Sequence, residues 1–175
     1  QLGGSGLRQF GGRHRLRRGR GPARNTGGGS ARFCSRGRRV GVVDQVGRFL
    51  AEQLNELTVA CDGDYFIRSR KRMKLAIRRR GGEPITVAID PMGTGVGVST
   101  TLGRGRGGGG PDGLAVIAQT CMLADAAAAG VQAMLGKDGG LHASLRYLRQ
   151  VPRVIGGVVV VGEGIGMAGG VEIAA

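Results

Sequence analysis

The sequence predicts one α+β domain, with mixed, mainly antiparallel sheet layers packed against helices. Short apolar or alternating runs recur between turn signals, a pattern typical of strands. Helical periodicities lie between only some of these runs, which favours a layered α+β arrangement. The chain has 175 residues, enough for one domain with a sizeable core but not for two full domains.

The first element of the domain is predicted to be an amphipathic helix over residues 41–57, because apolar residues recur there at helical spacing. These residues are Val42, Val43, Val46, Phe49, Leu50, Leu54 and Leu57. A short buried strand at 57–60 and a second strand at 65–69 follow, separated by the turn residues Asp62, Gly63 and Asp64. Alternation around Met73, Leu75 and Ile77 then predicts a half-exposed strand.

The rest of the domain continues as strands and two helices. Strands are predicted at 85–89, 95–101, 114–118, 154–161 and 171–174, and helices at 122–135 and 141–149. Residues 164–169 satisfy the pattern GxGxxG, but a dinucleotide site needs a helix and a second strand after it. Only six residues follow Gly169, so we interpret this segment as a hairpin turn.

Charge divides the chain into a basic arm, residues 1–39, and a nearly neutral domain, residues 40–175. The formal net charge is +14, and residues 1–43 contain eleven Arg and no acid. The arm is Arg- and Gly-rich with little apolar periodicity, so irregular structure is expected. It is either a solvated tail or a segment that binds nucleic acid through phosphates, although only Phe10 and Phe33 could stack on bases.

Cysteine usage and hydropathy suggest a cytoplasmic protein. Cys34, Cys61 and Cys121 are odd in number and widely spaced, which fits neither a disulfide framework nor a CxxC metal site. No segment approaches the roughly 20 apolar residues of a membrane helix. Val-rich strands and an Ala-rich helix make a homodimer a further expectation.

The segment 114–129, LAVIAQTCMLADAAAA, carries the strongest functional signal, because an acid, Asp125, lies among apolar residues. A carboxylate in such a setting is costly unless it is paired or bound to a cation, which favours a metal ligand. The structural alternative is an acid near a helix start that Thr120 caps, stabilised by the helix dipole.

The run from Met122 to Ala128, MLADAAA, resembles the "MLADALAT" segment of the FAD:protein FMN transferases, the ApbE-like proteins. In that family this Asp and a Thr four residues later help to hold magnesium on the flavin pyrophosphate. The resemblance therefore implies Asp125 as a metal ligand and FAD and magnesium as cofactors. Here the second position is Ala129, so one implied ligand is missing.

Weaker matches extend the resemblance over residues 40–174, to a short branch of the family. Gly63 and Asp64 match the end of a "GGDI" turn, and Ser99, Thr100 and Thr101 match the start of a "TSSG…GHS" loop, which implies that these five residues hold the nucleotide. The closing strand at 151–162 also matches.

The loop after this match departs from the family pattern. Its His is replaced by Arg106, and Gly107–Gly110 replace polar positions. On its own, the loop at 103–113 is either an anion nest supported by Arg104 and Arg106 or a surface hairpin tip.

Two functions follow from the sequence. The resemblance implies an ApbE-like protein that binds a flavin nucleotide with magnesium and is related to FMN transfer, with a degenerate site. The alternative is a non-catalytic scaffold whose basic arm binds nucleic acid or another polyanion.

Overall fold

The computed structural model describes residues 29–91, 93–102, 110–135 and 140–174, with side chains from Val40 onward. Three helices and nine strands lie in these ranges. The helices are α1 (Gly29–Ala51), α2 (Cys121–Leu135) and α3 (Gly140–Gln150). The strands are β1 (Leu57–Cys61), β2 (Asp64–Arg68), β3 (Met73–Ile77), β4 (Ile85–Ile89), β5 (Val96–Thr101), β6 (Gly113–Ala118), β7 (Val154–Val161), β8 (Gly164–Gly169) and β9 (Glu172–Ile173).

The strands form two antiparallel sheets, and the predicted α+β class is confirmed. The larger sheet has the order β1-β2-β5-β6-β7-β8, and the smaller one has the order β3-β4-β9. Every pairing between neighbouring strands is antiparallel. The helices pack on one face of the six-stranded sheet and the three-stranded sheet packs on the other, which gives three layers.

Strand β6 shows how the layers share the core. Its Leu114 and Val116 pack with α2 and α3, whereas Ala115 and Ile117 on the opposite face pack with residues of the small sheet. All six residues of β6 are buried, because successive side chains of a strand point to opposite faces and both faces are covered. This is why residues 114–118 read as a continuous apolar run.

Helix α1 differs from its prediction in both its bounds and its buried face. It begins at Gly29, so residues 29–39 are helical rather than irregular, and it ends at Ala51 rather than at residue 57. The Arg68 guanidinium donates to the carbonyl oxygen of Ala51, which satisfies a group at the end of the helix. Residues 1–28 of the basic arm lie outside the described part of the chain.

The buried face of α1 contains Val40, Val43, Asp44, Gly47 and Ala51. The apolar residues on which the prediction rested are largely exposed. Their exposed fractions are 55% for Val42, 41% for Val46, 63% for Phe49 and 48% for Leu54. Gly47 explains the difference, since a Cβ there would collide with the Phe66 ring of β2, and the small residue lets the helix approach the sheet.

The segment 164–169 is a strand, so its interpretation as a hairpin turn was wrong. It forms β8, paired with β7 from Val161–Gly164 to Gly156–Gly169, and the turn falls at residues 162–163. Gly166 lies close beneath Leu141 and Leu145 of α3, where a Cβ would be 2.9 Å from Leu141 Cδ1. Glycine therefore serves close packing here, which sequence periodicity cannot reveal.

The alternation predicted around Met73 is confirmed. Met73 and Leu75 pack against the core between the sheets and Ile77 is buried in it, whereas Lys74 and Ala76 are exposed. Of the helices in the described ranges, none combines the length and apolarity needed to span a bilayer.

Candidate functional site

A tight hairpin turn places Gly63 and Asp64. Strands β1 and β2 pair up to Cys61 and Asp64, which leaves Asp62 and Gly63 as a two-residue loop. Their φ angles are 51° and 93°, and positive φ at both positions is the signature of a type I′ turn. A Cβ on Gly63 would also lie 2.9 Å from the Thr100 carbonyl oxygen. The turn therefore selects glycine at this position.

Pairing between β2 and β5 brings together four of the five residues that the sequence predicted to hold a nucleotide. Asp64 and Ser99 are register partners. The backbone N–H and the hydroxyl of Thr100 both donate to the Gly63 carbonyl oxygen, at 2.8 Å each. Thr101 ends β5 opposite Leu114 of β6, beyond the pairing with β2. Gly63, Thr100 and Thr101 are half-buried and lie beside Asp64 and Ser99 along the two strands, so we call these three residues the rim and Asp64 and Ser99 the floor.

The floor beside this rim is polar and buried. Asp64 is 2% exposed, and Ser99 is fully buried on the face of β5 that meets α2. The Ser99 hydroxyl oxygen has no hydrogen-bond partner among the described residues. Burying polar groups away from water costs free energy, so such a cluster in a small domain indicates a specific use.

Helix α2 begins over this floor, and Asp44 of α1 caps it. Cys121 N–H donates to Asp44 Oδ1 at 2.9 Å, and Met122 N–H donates to Asp44 Oδ2 at 3.1 Å. The next two backbone N–H groups donate to the Thr120 hydroxyl and carbonyl oxygens, at 3.1 and 3.0 Å. All four N-terminal donors of α2 are thus satisfied within the chain. An anionic ligand can use them only by displacing Asp44.

Asp125 lies in the second turn of α2, as its fifth residue, and is 7% exposed. The structural alternative, an acid near the helix start that the helix dipole stabilises, is therefore weaker. The dipole effect falls off beyond the first turn, and the first turn of α2 contains no acid. Thr120 does cap the helix, as that alternative expected. Ala129 follows one turn later on the same face, half-buried.

The donor set around Asp125 does not make a metal site from protein ligands alone. In the described ranges no three His, Cys, Asp or Glu residues come together to hold an ion. Magnesium, however, is commonly held by one or two carboxylates together with phosphates of the substrate. Asp125 therefore fits a magnesium ion that arrives with a nucleotide.

Cys121 is a buried part of the same region. Its thiol donates to the Tyr65 carbonyl oxygen at 3.0 Å. Burial raises the pKa of the Cys121 thiol well above its usual range, and the negative charge of Asp44 raises it further. The thiol is therefore held neutral and acts as a packing group rather than as a nucleophile.

Some sequence predictions fall outside the described residues, and one important residue was missed. Arg104 and Arg106 belong to undescribed residues 103–109, and polyanion binding by residues 1–39 stays a prediction. Asp44 was not predicted to have any role. Its signal in the sequence is an acid directly after Val43 in an apolar segment, the feature that drew attention to Asp125.

Comparisons with known proteins give a match to a family model and matches to solved structures. A family model described as "AbpE bacteria" matches residues 41–139. Among solved structures, a flavin transferase ApbE from Vibrio cholerae is 15% identical, with a TM-score of 0.49 over 71% of this chain and 46% of that chain. The apo form of a flavinyl transferase ApbE from Pseudomonas stutzeri is 18% identical, with a TM-score of 0.49 over 78% and 47%.

The chain thus spans about half the length of these solved structures. Comparison with curated proteins gave no match.

Proposed function

Because the chain belongs to the AbpE bacteria family, we propose that it binds a flavin nucleotide, FAD, between the β2–β5 rim and the start of α2. The observation that carries the proposal is the buried polar pair of Asp64 and Ser99 on β2 and β5, against which α2, the helix that carries the buried Asp125, is packed. Together with Asp44, these three residues account for four of the six buried polar residues of the described chain. Asp44 caps α2, whereas the Ser99 hydroxyl has no hydrogen-bond partner among the described residues, which supports a polar ligand at this place.

The rim and the floor have different tasks in this proposal. Gly63, Thr100 and Thr101 contact the nucleotide, since they are the half-buried members of the group. Asp64 and Ser99 are buried beside the rim, and each can accept a hydrogen bond from a ligand hydroxyl or N–H that reaches the floor. The pyrophosphate does not rest on the α2 amides in this proposal, because they already donate to Asp44 and Thr120, which it would have to displace.

Magnesium is the cation proposed for this site. A pyrophosphate brought close to the carboxylates of Asp64 and Asp125 would be repelled unless a cation lay between them. Asp125 would hold the ion together with phosphate oxygens. When bound, magnesium would neutralise charge on the pyrophosphate, the chemistry needed for FMN transfer. Ala129 offers no oxygen where the resemblance implies a threonine, so we propose weak magnesium dependence and weak or absent transfer.

The test is isothermal titration of FAD into the full chain, with and without magnesium. We expect magnesium to strengthen binding and, with magnesium present, Asp125→Asn to weaken it about tenfold, or about 1.4 kcal/mol. Asp125→Asn preserves the size of the side chain, and Asp90→Ala, an exposed acid of the other sheet layer, serves as the control. Ala129→Thr restores a hydroxyl one turn from Asp125 and is expected to increase the effect of magnesium.

The outcomes separate the parts of the proposal. No FAD binding under any condition would overturn it. If neither Asp125→Asn nor magnesium changed the FAD affinity, the proposed nucleotide binding would stand and the proposed magnesium site would be rejected. An effect of Asp90→Ala equal to that of Asp125→Asn would show that general charge, rather than this site, sets the affinity.

A further inference from the structure

Positive charge in the domain is concentrated in one short segment, residues 68–80. This segment contains eight of the fifteen Lys and Arg residues of 41–175 and no Asp or Glu. The remainder of 41–175 has seven Lys and Arg residues against twelve Asp and Glu residues. The nearly neutral net charge of the domain is thus the sum of a strongly basic segment and an acidic remainder. A basic segment on an otherwise acidic domain creates a strong local field.

The fold places this segment at an open sheet edge. It forms the β2–β3 turn, strand β3 and the residues after it, and β3 pairs only with β4 among the described strands. Arg72, Lys74 and Arg78 are exposed at alternate positions, with Ala76 between them. Positions two apart in a strand lie on the same face, roughly 6.6 Å apart. The segment therefore presents a regular row of cations.

Local contacts hold this row in place. The hydroxyl of Ser69, a nearly fully buried residue, donates to the Lys71 carbonyl oxygen and accepts a hydrogen bond from the Lys71 N–H, at 2.9 Å each. Glu56 accepts the Arg70 N–H at 3.1 Å, and hydrogen bonds from Ser69 and Arg70 lower the pKa of Glu56. Arg72 already pairs with one carboxylate, Glu172 of β9 on the same small sheet.

We propose that the edge of β3 binds an extended acidic peptide segment of a partner protein, as a fourth strand of the small sheet. An open edge supplies unpaired backbone groups, which is the basis of recognition by strand addition. A peptide with acids at alternate positions repeats at the same spacing as the cation row, and opposite charges on facing strands attract. A second copy of this edge would be repelled by its own cations.

An acidic strand fits this surface better than a nucleic acid does. Residues 68–80 contain no aromatic side chain on which bases could stack. The cations also follow the period of a strand, and the inward residues Met73, Leu75 and Ile77 are committed to the core. The accessible part of the segment is the backbone edge of β3 with cationic side chains beside it. This edge complements a peptide strand that carries acidic side chains.

The experiment measures fluorescence anisotropy of a labelled peptide of alternating Glu and Thr on the full chain. The variant Lys74→Thr with Arg78→Thr removes two cations of the row and keeps residues that favour strands. We expect affinity to fall about fivefold. The control, Arg146→Gln with Arg149→Gln, removes two exposed charges from α3 and is expected to change affinity by less than about twofold.

A second probe tests strand pairing independently of protein variants. N-methyl groups on alternate backbone amides of the same peptide, in both registers, remove donors without changing charge. At least one register is expected to bind several-fold more weakly. Equal binding of both methylated peptides, equal effects of the two protein variants, or a larger loss of affinity for duplex DNA than for the peptide on Lys74→Thr with Arg78→Thr would each overturn the proposal.

Discussion

Asp44 shows how a single buried carboxylate organises the candidate site. It is 6% exposed, and both of its oxygens accept backbone N–H groups of α2. Negative charge at the N-terminus of a helix is stabilised by the helix dipole, and hydrogen bonds to a charged acceptor are the stronger kind. The residue therefore joins α1 to α2 and fixes the start of the helix that carries Asp125.

Asp44→Ala is predicted to lower the free energy of unfolding by about 2 kcal/mol, since it removes a charged cap and leaves two N–H groups unsatisfied. Asp44→Asn keeps one acceptor oxygen and is expected to cost about half as much. Urea denaturation measures both changes. Glu52→Ala, an exposed acid just after α1, is the control, with an expected change within about 0.5 kcal/mol. If Asp44→Ala matched the control, the cap would contribute nothing to stability.

At the scale of elements, the closeness of α2 to β5 depends on Gly97. A Cβ at this position would collide with the backbone of Thr120 and Cys121, which cannot move as a flexible side chain can. Gly97 pairs with Phe66 of β2 and Ala118 of β6, in the middle of the sheet. Any shift of α2 would therefore change the packing around the floor of the site, because Ser99 lies two residues further along β5.

Gly97→Ala is expected to destabilise the chain by about 3 kcal/mol, because overpacking against backbone forces the helix away from the sheet. Gly41→Ala is the matched control, since its Cβ would meet only Met122 Sδ, at 3.6 Å. Inside α1 this change is expected to stabilise by about 0.5–1 kcal/mol. Thermal unfolding of both variants gives the comparison. Tolerance of Gly97→Ala would mean that α2 can move away from the sheet at little cost.

Elements with a clear periodicity could be predicted from the sequence, and those shaped by glycine could not. Residues 114–118 and 85–89 correspond closely to β6 and β4, because buried runs of apolar residues bounded by turns admit few alternatives. The strand at 164–169 was missed because its glycines contribute no hydrophobic pattern. The buried face of α1 was misassigned because Gly47, rather than the larger apolar residues, allows contact with the sheet.

The candidate site was likewise only partly accessible from sequence. Gly63, Asp64, Ser99 and Thr100 were selected by resemblance, and the register of β2 with β5 is what brings them together. Register depends on pairing between segments distant along the chain, which local patterns do not specify. Asp44 went unrecognised for the same reason, since its partners are 77 and 78 residues away.

At the scale of the whole molecule, the six-stranded sheet separates two surfaces of different character. Asp64 and Ser99 lie on its helical side, and the cation row of β3 belongs to the small sheet on the other side. The homodimer expected from the sequence stays a prediction, and its stated basis is weakened. Strand β7 lies inside the sheet with β8 beyond it, and the alanines of α2 are largely buried.

This separation predicts that the two proposed binding activities are independent. Asp125→Asn is expected to leave the affinity for the acidic peptide unchanged, and Lys74→Thr with Arg78→Thr is expected to leave the FAD affinity unchanged. The free-energy effects of substitutions at distant sites without shared partners add to within about 0.5 kcal/mol. Exposed charges are also largely screened from one another beyond about 10 Å at 0.1 M salt.

The measurement is a cycle of FAD and peptide titrations on the original chain, each variant and their combination, at that salt concentration. Each ligand should also bind equally well when the other is saturating. Coupling clearly above about 0.5 kcal/mol would show that the central sheet transmits a change between its two faces, because a linkage between binding sites is reciprocal. Independent binding of the two ligands would instead mean that the domain carries two uncoupled sites, one for a nucleotide on the helical side of the central sheet and one for a partner strand on the other side.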